Sequence, residues 1–399
     1  MSTTEPGPVR ADLSRRVVVI SASVGAGHDG TTRDLAARLR ERGLRVDCVD
    51  VTDVFPLGLG RLLRGTYHGL LLRMPWIYAG LFAIACRFRG AAPITRALLR
   101  PVRPRMRRAL PADVDAVVST YPIASQLLGP LRRDGQLAVP VVTYLTDFAP
   151  HPIWLSPGVD VHYVAHETNR AQALAGSAAD VRAGRLVSAG CGPPSAAAKQ
   201  RARQRFGLPP DARIALVVAG AWGVGEIAAT AADIAATGAA IPVTVCGRNE
   251  DLRRRLLRAG TGHVLGWVDD MPELLHAADV LVENGGGLTA LEAMASGLPV
   301  LTYRPLPGHG RASAVAMAEA GVSTLVRGRD ELGRALCELA DGERGRRARE
   351  AGLALFATDP TDGIAALTTA GVGSLATGGM AARAVGERPS FAGGDAGPG

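Results

Sequence analysis

Two glycine-rich strings in this 399-residue chain each follow a short β-branched run and lead into a helical pattern. In the first, Gly25-Ala26-Gly27-His28-Asp29-Gly30, a histidine stands at the mouth of the helix. An imidazole titrates close to neutral pH, so His28 is a candidate for proton transfer. The second string is Glu283-Asn284-Gly285-Gly286-Gly287-Leu288-Thr289, with Glu292 one turn further on. Three glycines between strand and helix leave the first helical N–H groups open. With the macrodipole they form a cradle for a diphosphate. Thr289 adds a hydroxyl donor, and Glu292 can accept hydrogen bonds from ribose hydroxyls. A third glycine-rich turn, Gly220–Gly225, brings Gly223 and Gly225 to a similar strand–helix junction.

Other strings compete for attention. The first glycine string is formally GxGxxG, and Asp50 lies about 20 residues on, where a dinucleotide enzyme holds its ribose. The histidine in the loop and the stronger glycine site further along count against a nicotinamide cofactor. Asp113-Val114-Asp115 is a DxD string, but it leads into a strand and reads as a turn. His162 and His166 fall on a strand pattern, where four residues separate them by about 13 Å, too far to share an ion. No metal site is expected.

The elements that must hold these groups alternate between strand and helix, the mark of parallel sheets. Strands are predicted at 16–20, 46–51, 115–119, 139–145 and 161–165, with a helix over 31–42. A second series follows, with strands at 214–218, 241–246, 263–265, 280–282 and 300–302. Its helices fall at 226–237, 252–258, 271–277 and 289–295. The expected partition is a disordered start (1–14), a first domain (15–190), a linker (191–211), a second domain (212–370) and a disordered tail (371–399). Apolar residues make up 47%, enough for two cores, and aromatics only 4%, which argues against nucleic acid as a partner. The five cysteines form no CxxC pair, and the first residues carry no signal-peptide pattern, so a reduced, cytoplasmic setting is expected.

At the second glycine string the chain resembles GT-B glycosyltransferases of family 28, most closely the monogalactosyldiacylglycerol synthase and processive diacylglycerol glucosyltransferase group. The similarity runs from the first strand to about Val326. Ser21 to His28 looks like that group's N-terminal signature, which implies that Gly27 and His28 line an acceptor cleft. Thr146-Asp147-Phe148 with His151 and Trp154 is similar to its next segment. This implies acceptor contacts at His151 and Trp154, and Asp147 as a reserve base or the group that orients His28. Val245 to Glu250, containing Arg248, and Leu265 to Leu274 match its C-domain motifs, and the latter implies backbone contact to uracil at Val268. One departure stands out. The group's Pro-Gly-Gln-Glu is Pro307-Gly308-His309-Gly310 here, which leaves His309 and Arg311 to meet a diphosphate or sugar hydroxyl. The resemblance implies an α/β fold of the GT-B type, two Rossmann-like domains facing across a cleft. It also implies inverting transfer of a hexose from a UDP-sugar to a lipid acceptor such as diacylglycerol. No metal and no cofactor beyond the UDP-sugar co-substrate are expected. A soluble natural-product acceptor, or a nucleotide-sugar or dinucleotide binder without transferase activity, are the rival readings.

Charge adds a partner. Residues 54–112 hold 11 Arg and no Asp or Glu, so the rest of the chain is net acidic although the whole carries +8. Within this stretch Met74 to Cys86 is apolar, contains Trp76, and is flanked by Arg73, Arg87 and Arg89. It is too short to span a bilayer about 30 Å thick, and it suits an interfacial helix on an anionic surface. The expected location is therefore peripheral, on the cytoplasmic face of the cell membrane.

Overall fold

The computed structural model of the protein describes residues 15–23, 26–88, 90–176, 180–218 and 220–369. The segments 1–14 and 371–399, expected to be disordered, lie outside the described residues. The β-branched runs form two parallel six-stranded sheets. In the first, β1 (Arg16–Ser21) leads through α1 (Ala26–Glu41) to β2 (Arg45–Asp50). A helical excursion follows: α2 (Leu59–Arg73), α3 (Pro75–Arg87), α4 (Ala91–Leu98) and α5 (Arg103–Ala109). The sheet resumes with β3 (Ala116–Ser119), α6 (Pro122–Arg133), β4 (Val141–Tyr144), β5 (Val161–Val164), α7 (Glu167–Gly176) and β6 (Asp180–Ala183). Its spatial order is β2-β1-β3-β4-β5-β6. Val17 to Ile20 are wholly buried, as parallel strands covered by helices on both faces require.

After α8 (Ala196–Arg205) the second sheet takes β7 (Ile214–Val218), α9 (Ile227–Thr237), β8 (Ile241–Val245), α10 (Glu250–Ala259), β9 (His263–Leu265) and α11 (Met271–Ala277). It continues through β10 (Val280–Glu283), α12 (Leu288–Ala295), β11 (Val300–Tyr303), α13 (His309–Glu319) and β12 (Ser323–Val326), and ends in α14 (Arg329–Asp341) and α15 (Glu343–Ala354). The order is β12-β11-β10-β7-β8-β9. In each sheet the order reverses once, at β1/β3 and at β7/β10. Beyond the carboxyl ends of strands at such a switch point, the diverging loops leave a crevice for a ligand.

The structure departs from these expectations in three places. The presumed linker holds α8, capped by Ser195. This helix packs on the second core through Ala202, and the Arg203 guanidinium reaches Ala277 O and Asp279. The last helix, α16 (Pro360–Thr369), leaves the second domain and packs on the first, where Ile364 and Leu367 join Val17, Leu35 and Leu39 in one core. Arg42 clamps it through Asp359 and Asp362 at 2.9 and 2.8 Å. Finally, α1 begins at Ala26, so Gly27, His28 and Gly30 sit in its first turns and not in a loop. The unforeseen strands β6 and β12 are both at sheet edges, and Asp180 and Arg182 in the one and the buried Ser323 and Thr324 in the other dilute the apolar signal.

Candidate active site

The two switch points face each other. From the first sheet, α1 brings its N-terminus forward until Gly27 lies against Leu288, the first residue of α12. A methyl group at Gly27 would stand 3.6 Å from Leu288 Cβ, and one at Gly30 only 2.5 Å from Leu288 Cδ2. A side chain at Gly30 thus requires the Leu288 side chain to turn away. Gly27, expected at the acceptor, serves here as the seat of the opposing domain. Two helix N-termini therefore converge on one place, and both present the positive end of a macrodipole to an anion.

The cradle differs in detail from the expectation. Glu283 is buried at the end of β10, and its Oε2 accepts from the Gly285 N–H at 2.7 Å and from the Gly286 N–H. Its other oxygen accepts from the Thr302 hydroxyl. Burial pushes this carboxyl up against those three donors. Gly285 and Gly286 thus spend their N–H groups on shaping the turn, which moves the anion-binding edge to Gly287, Leu288 and Thr289 at the start of α12. Gly286 has φ 63°, and a Cβ there would sit 2.6 Å from Ser313 Cβ, so the turn requires glycine. One turn along, Glu292 is half-buried, and burial, aided by the Asp34 charge on α1, pushes its carboxyl up to about 7.

Gly223 and Gly225 also have positive φ, and a Cβ on Gly225 would strike Asn284 Nδ2 at 2.4 Å. They let the β7 turn close on the β10 turn, where Asn284 donates to Val224 O at 3.0 Å. Arg248 lies 4.5 Å over the Trp267 ring, whose indole N–H donates to Asp269 at 2.7 Å. Val268 follows on this ledge and packs on the second core.

Three imidazoles and a carboxylate occupy the space between the sheets. His28 Nδ1 is 3.1 Å from the Thr146 hydroxyl, and Tyr121 meets the ring edge-on. Thr146, not Asp147, is therefore the hydrogen-bonding group that orients His28. Asp147 accepts from the Trp154 indole N–H at 2.8 Å and faces His151 Nε2 at 3.6 Å. Burial raises its pKa, but the hydrogen bond and charge of His151, with the charges of His28 and His309, outweigh it. The carboxyl is held well below the usual range. A carboxylate that holds its charge this firmly is a poor proton acceptor, so its work is electrostatic. Trp154 is 0% exposed and cannot touch an acceptor, which corrects its expected role; its indole anchors Asp147. His151 stays at the cleft, edge-on to Phe82 at 5.5 Å. Burial lowers the His309 pKa, with Asp147 opposing.

The competing strings fall away. Asp50 accepts from Ser23 N–H, Thr52 and Arg64, so it is not free to hold a ribose. Asp113 and Asp115 sit at the opposite end of the sheet, engaged by Arg16. His162 is buried within β5, where burial pushes its imidazole down to about 4, while His166 lies past the strand end and not on it as expected. Among the described residues no group of three His, Cys, Asp or Glu is placed to hold a metal ion.

Of the expected membrane contacts, Trp76 is 72% exposed and Arg87 exposed; the Arg73 side chain and all of Arg89 lie outside the described residues. Leu62, Leu81, Ile84 and Leu98 extend the exposed apolar surface over α2, α3 and α4. No single described helix is long and apolar enough to cross a membrane, but α3 and α4 form an apolar pair bent by 104°. Sequence reasoning missed Thr146, Glu283, Asp34, Tyr78 and Phe82 as parts of the site. Thr146 and Glu283 lie inside the motifs named above, without a sign of what they bind; the others carry no local signal.

Two facing Rossmann-like domains, with a helix-terminal anion cradle on one side and an imidazole cluster on the other, give the chain the GT-B fold found in glycosyltransferases. Solved structures agree on the fold. A UDP-glucosyltransferase from Polygonum tinctorium superposes with TM-score 0.56 at 15% identity over 89% of this chain and 99% of that one. Sucrose-phosphate synthase from Thermosynechococcus elongatus does so with TM-score 0.53 at 16% identity over 92% and 100%. Within that class the chain resembles the monogalactosyldiacylglycerol synthase and processive diacylglycerol glucosyltransferase group. Residues 66–181 match the monogalactosyldiacylglycerol synthase family, and residues 215–341 match glycosyl transferases group 1. The processive diacylglycerol beta-glucosyltransferase of Bacillus cereus (strain AH187) is 26% identical over 374 residues, covering 88% of this chain and 92% of the relative. Its namesake from Bacillus anthracis (strain CDC 684 / NRRL 3495) is 25% identical over the same span.

Proposed function

We propose that the chain is a glycosyltransferase of glycolipid synthesis that moves a hexose from a UDP-sugar to the hydroxyl of a lipid such as diacylglycerol, with inversion. The observation that carries this reading is the approach of the His28 helix to the α12 N-terminus across the cleft. The donor diphosphate lies along Gly287–Thr289, its ribose at Glu292 and its uracil by Val268. The acceptor hydroxyl gives its proton to His28 Nε2 while its oxygen attacks the anomeric carbon. The bond to the diphosphate oxygen breaks on the opposite face, and the two helix N-termini take up the developing charge. One base and one displacement imply inversion.

A lipid acceptor is favoured over a soluble one by the exposed apolar side chains of α2–α4 and by Arg61, Arg87, Arg100, Arg105, Arg107 and Arg108, all exposed beside them. This surface seats the enzyme on the anionic inner leaflet. Replacing Trp76 and Ile84 with Ser together with Arg87→Gln is expected to release the protein from phosphatidylglycerol vesicles at moderate salt. Turnover of a short-chain soluble acceptor persists. Flotation equal to wild type removes the membrane role and moves a soluble acceptor ahead.

Because helix termini supply the charge at the diphosphate, catalysis is expected to be metal-independent. Full activity after EDTA treatment is the expected outcome; loss restored by Mn²⁺ refutes it. The reading as a whole is tested by a donor-by-acceptor screen with mass detection of product and assignment of the new anomeric centre. Retained configuration excludes the single displacement, and no product from any UDP-hexose excludes the function.

A further inference from the structure

The Tyr78 hydroxyl on α3 lies 2.9 Å from His309 Nδ1, joining the acceptor-side domain to the first residue of α13. The two rings meet edge to face at 5.6 Å, and Phe82, one turn along α3, packs against the same imidazole at 6.4 Å. The chain before His309 is moulded on this aromatic pair. Gly308 has φ 81°, and a Cβ there would stand 3.0 Å from Tyr78 and 3.3 Å from Phe82. Gly310, on the other side, has no room for a side chain, since a Cβ would come within 2.9 Å of both Asn284 O and Leu306 Cβ. Of residues 308–310 at this lip of the α12 cradle, His309 is the one with a polar side chain, and two aromatic rings pack against it.

We infer that Tyr78 is a positioning residue for the donor: its hydroxyl donates to His309 Nδ1, so that the ring proton sits on Nε2 and is presented to an oxygen of the bound sugar diphosphate. Burial lowers the pKa of the imidazole and so favours the neutral ring, which carries one N–H only. A phenol that donates to Nδ1 leaves that proton no place but Nε2. Donor recognition in the second domain is then completed by a residue of the first. The inference rests on the donor reading proposed above.

A double-mutant cycle tests it on the full chain, with Tyr78→Phe, His309→Ala and both together, the KM of donor and acceptor measured separately. Tyr78→Phe is expected to raise the UDP-sugar KM about tenfold, the scale of one hydrogen bond, and to leave the acceptor KM unchanged. In the His309→Ala background the same substitution adds nothing. His309→Gln, whose amide can accept from Tyr78 and still donate onward, recovers part of the donor affinity. An equal effect of Tyr78→Phe in both backgrounds overturns the inference. Long-range proton–nitrogen correlation spectra read the tautomer without turnover: an Nε2–H ring in wild type, and a mixture in Tyr78→Phe. An Nδ1–H ring in wild type overturns the inference even where the enzyme is active. If no UDP-hexose is turned over, the functional reading fails, and the spectra still decide the tautomer.

Discussion

Alanine at His28 lowers turnover by about two orders of magnitude or more, the scale of a lost general base, while UDP affinity stays near wild type. The division follows from where the ring stands. His28 rides on α1 of the first domain, and the cradle belongs to α12 of the second. Its Nδ1 is 3.1 Å from the Thr146 hydroxyl; when the ring donates the Nδ1 proton to that oxygen, Nε2 is the basic atom. When Nε2 takes the acceptor proton, the nearby Asp147 carboxylate stabilises the imidazolium. Thr146→Val therefore causes a smaller loss of the same kind, in turnover and not in UDP affinity. Initial rates and calorimetry on folded variants check both. Turnover surviving in His28→Ala removes the base from this position, and the firmly ionised Asp147 is a poor substitute for it.

UDP binds up to about tenfold more weakly at pH 6 than at pH 8, and Glu292→Gln abolishes that difference. The sign follows from the direction of the shift. Burial pushes Glu292 up to about 7, so near neutrality the empty site is only partly ionised. A ribose hydroxyl donates to the charged carboxylate more strongly than to the neutral acid. Binding therefore favours the ionised form: affinity is full above pH 7 and is lost as the pH falls through it. Truncation to alanine removes the acceptor altogether at a cost of roughly 1–3 kcal/mol. Calorimetry across pH is the measurement. A flat profile in wild type, or unchanged affinity in folded Glu292→Ala, takes the ribose away from this residue.

Much of this site is legible in the residues themselves because its parts are local. A β-branched run, a glycine turn and a helix N-terminus are neighbours in sequence, so β10, the Gly285–Gly287 turn and α12 can be read as one device. His28 declares itself in the same way. What escapes is what only the closed cleft brings together. Tyr78 and His309 are 231 residues apart, and nothing periodic marks either. Glu283 stands just after the strand expected at 280–282 with no stated role, yet its carboxylate takes the N–H groups of Gly285 and Gly286. Trp154 sits in a motif with His151 and invites the same role, but only burial, invisible in the string, separates a core anchor from a contact residue. The dinucleotide decoy fails for a similar reason, since Asp50 is committed to Thr52 and Ser23.

The return of α16 to the first domain has a consequence for how the protein is made. Ile364 is wholly buried and Leu367 nearly so, in a core shared with the first strand of the chain. Burial of each is worth roughly 1.5–3 kcal/mol. A ribosome releases the first domain's sheet long before it has synthesised this helix, so the domain that emerges first is completed last. Until then the groove beside Val17, Leu35 and Leu39 stays open to solvent, and the second domain can finish folding ahead of the one that precedes it. The nascent chain carries an unfilled apolar seam through most of its synthesis, and that seam is where a holding chaperone or a misplaced helix from another copy has its opportunity.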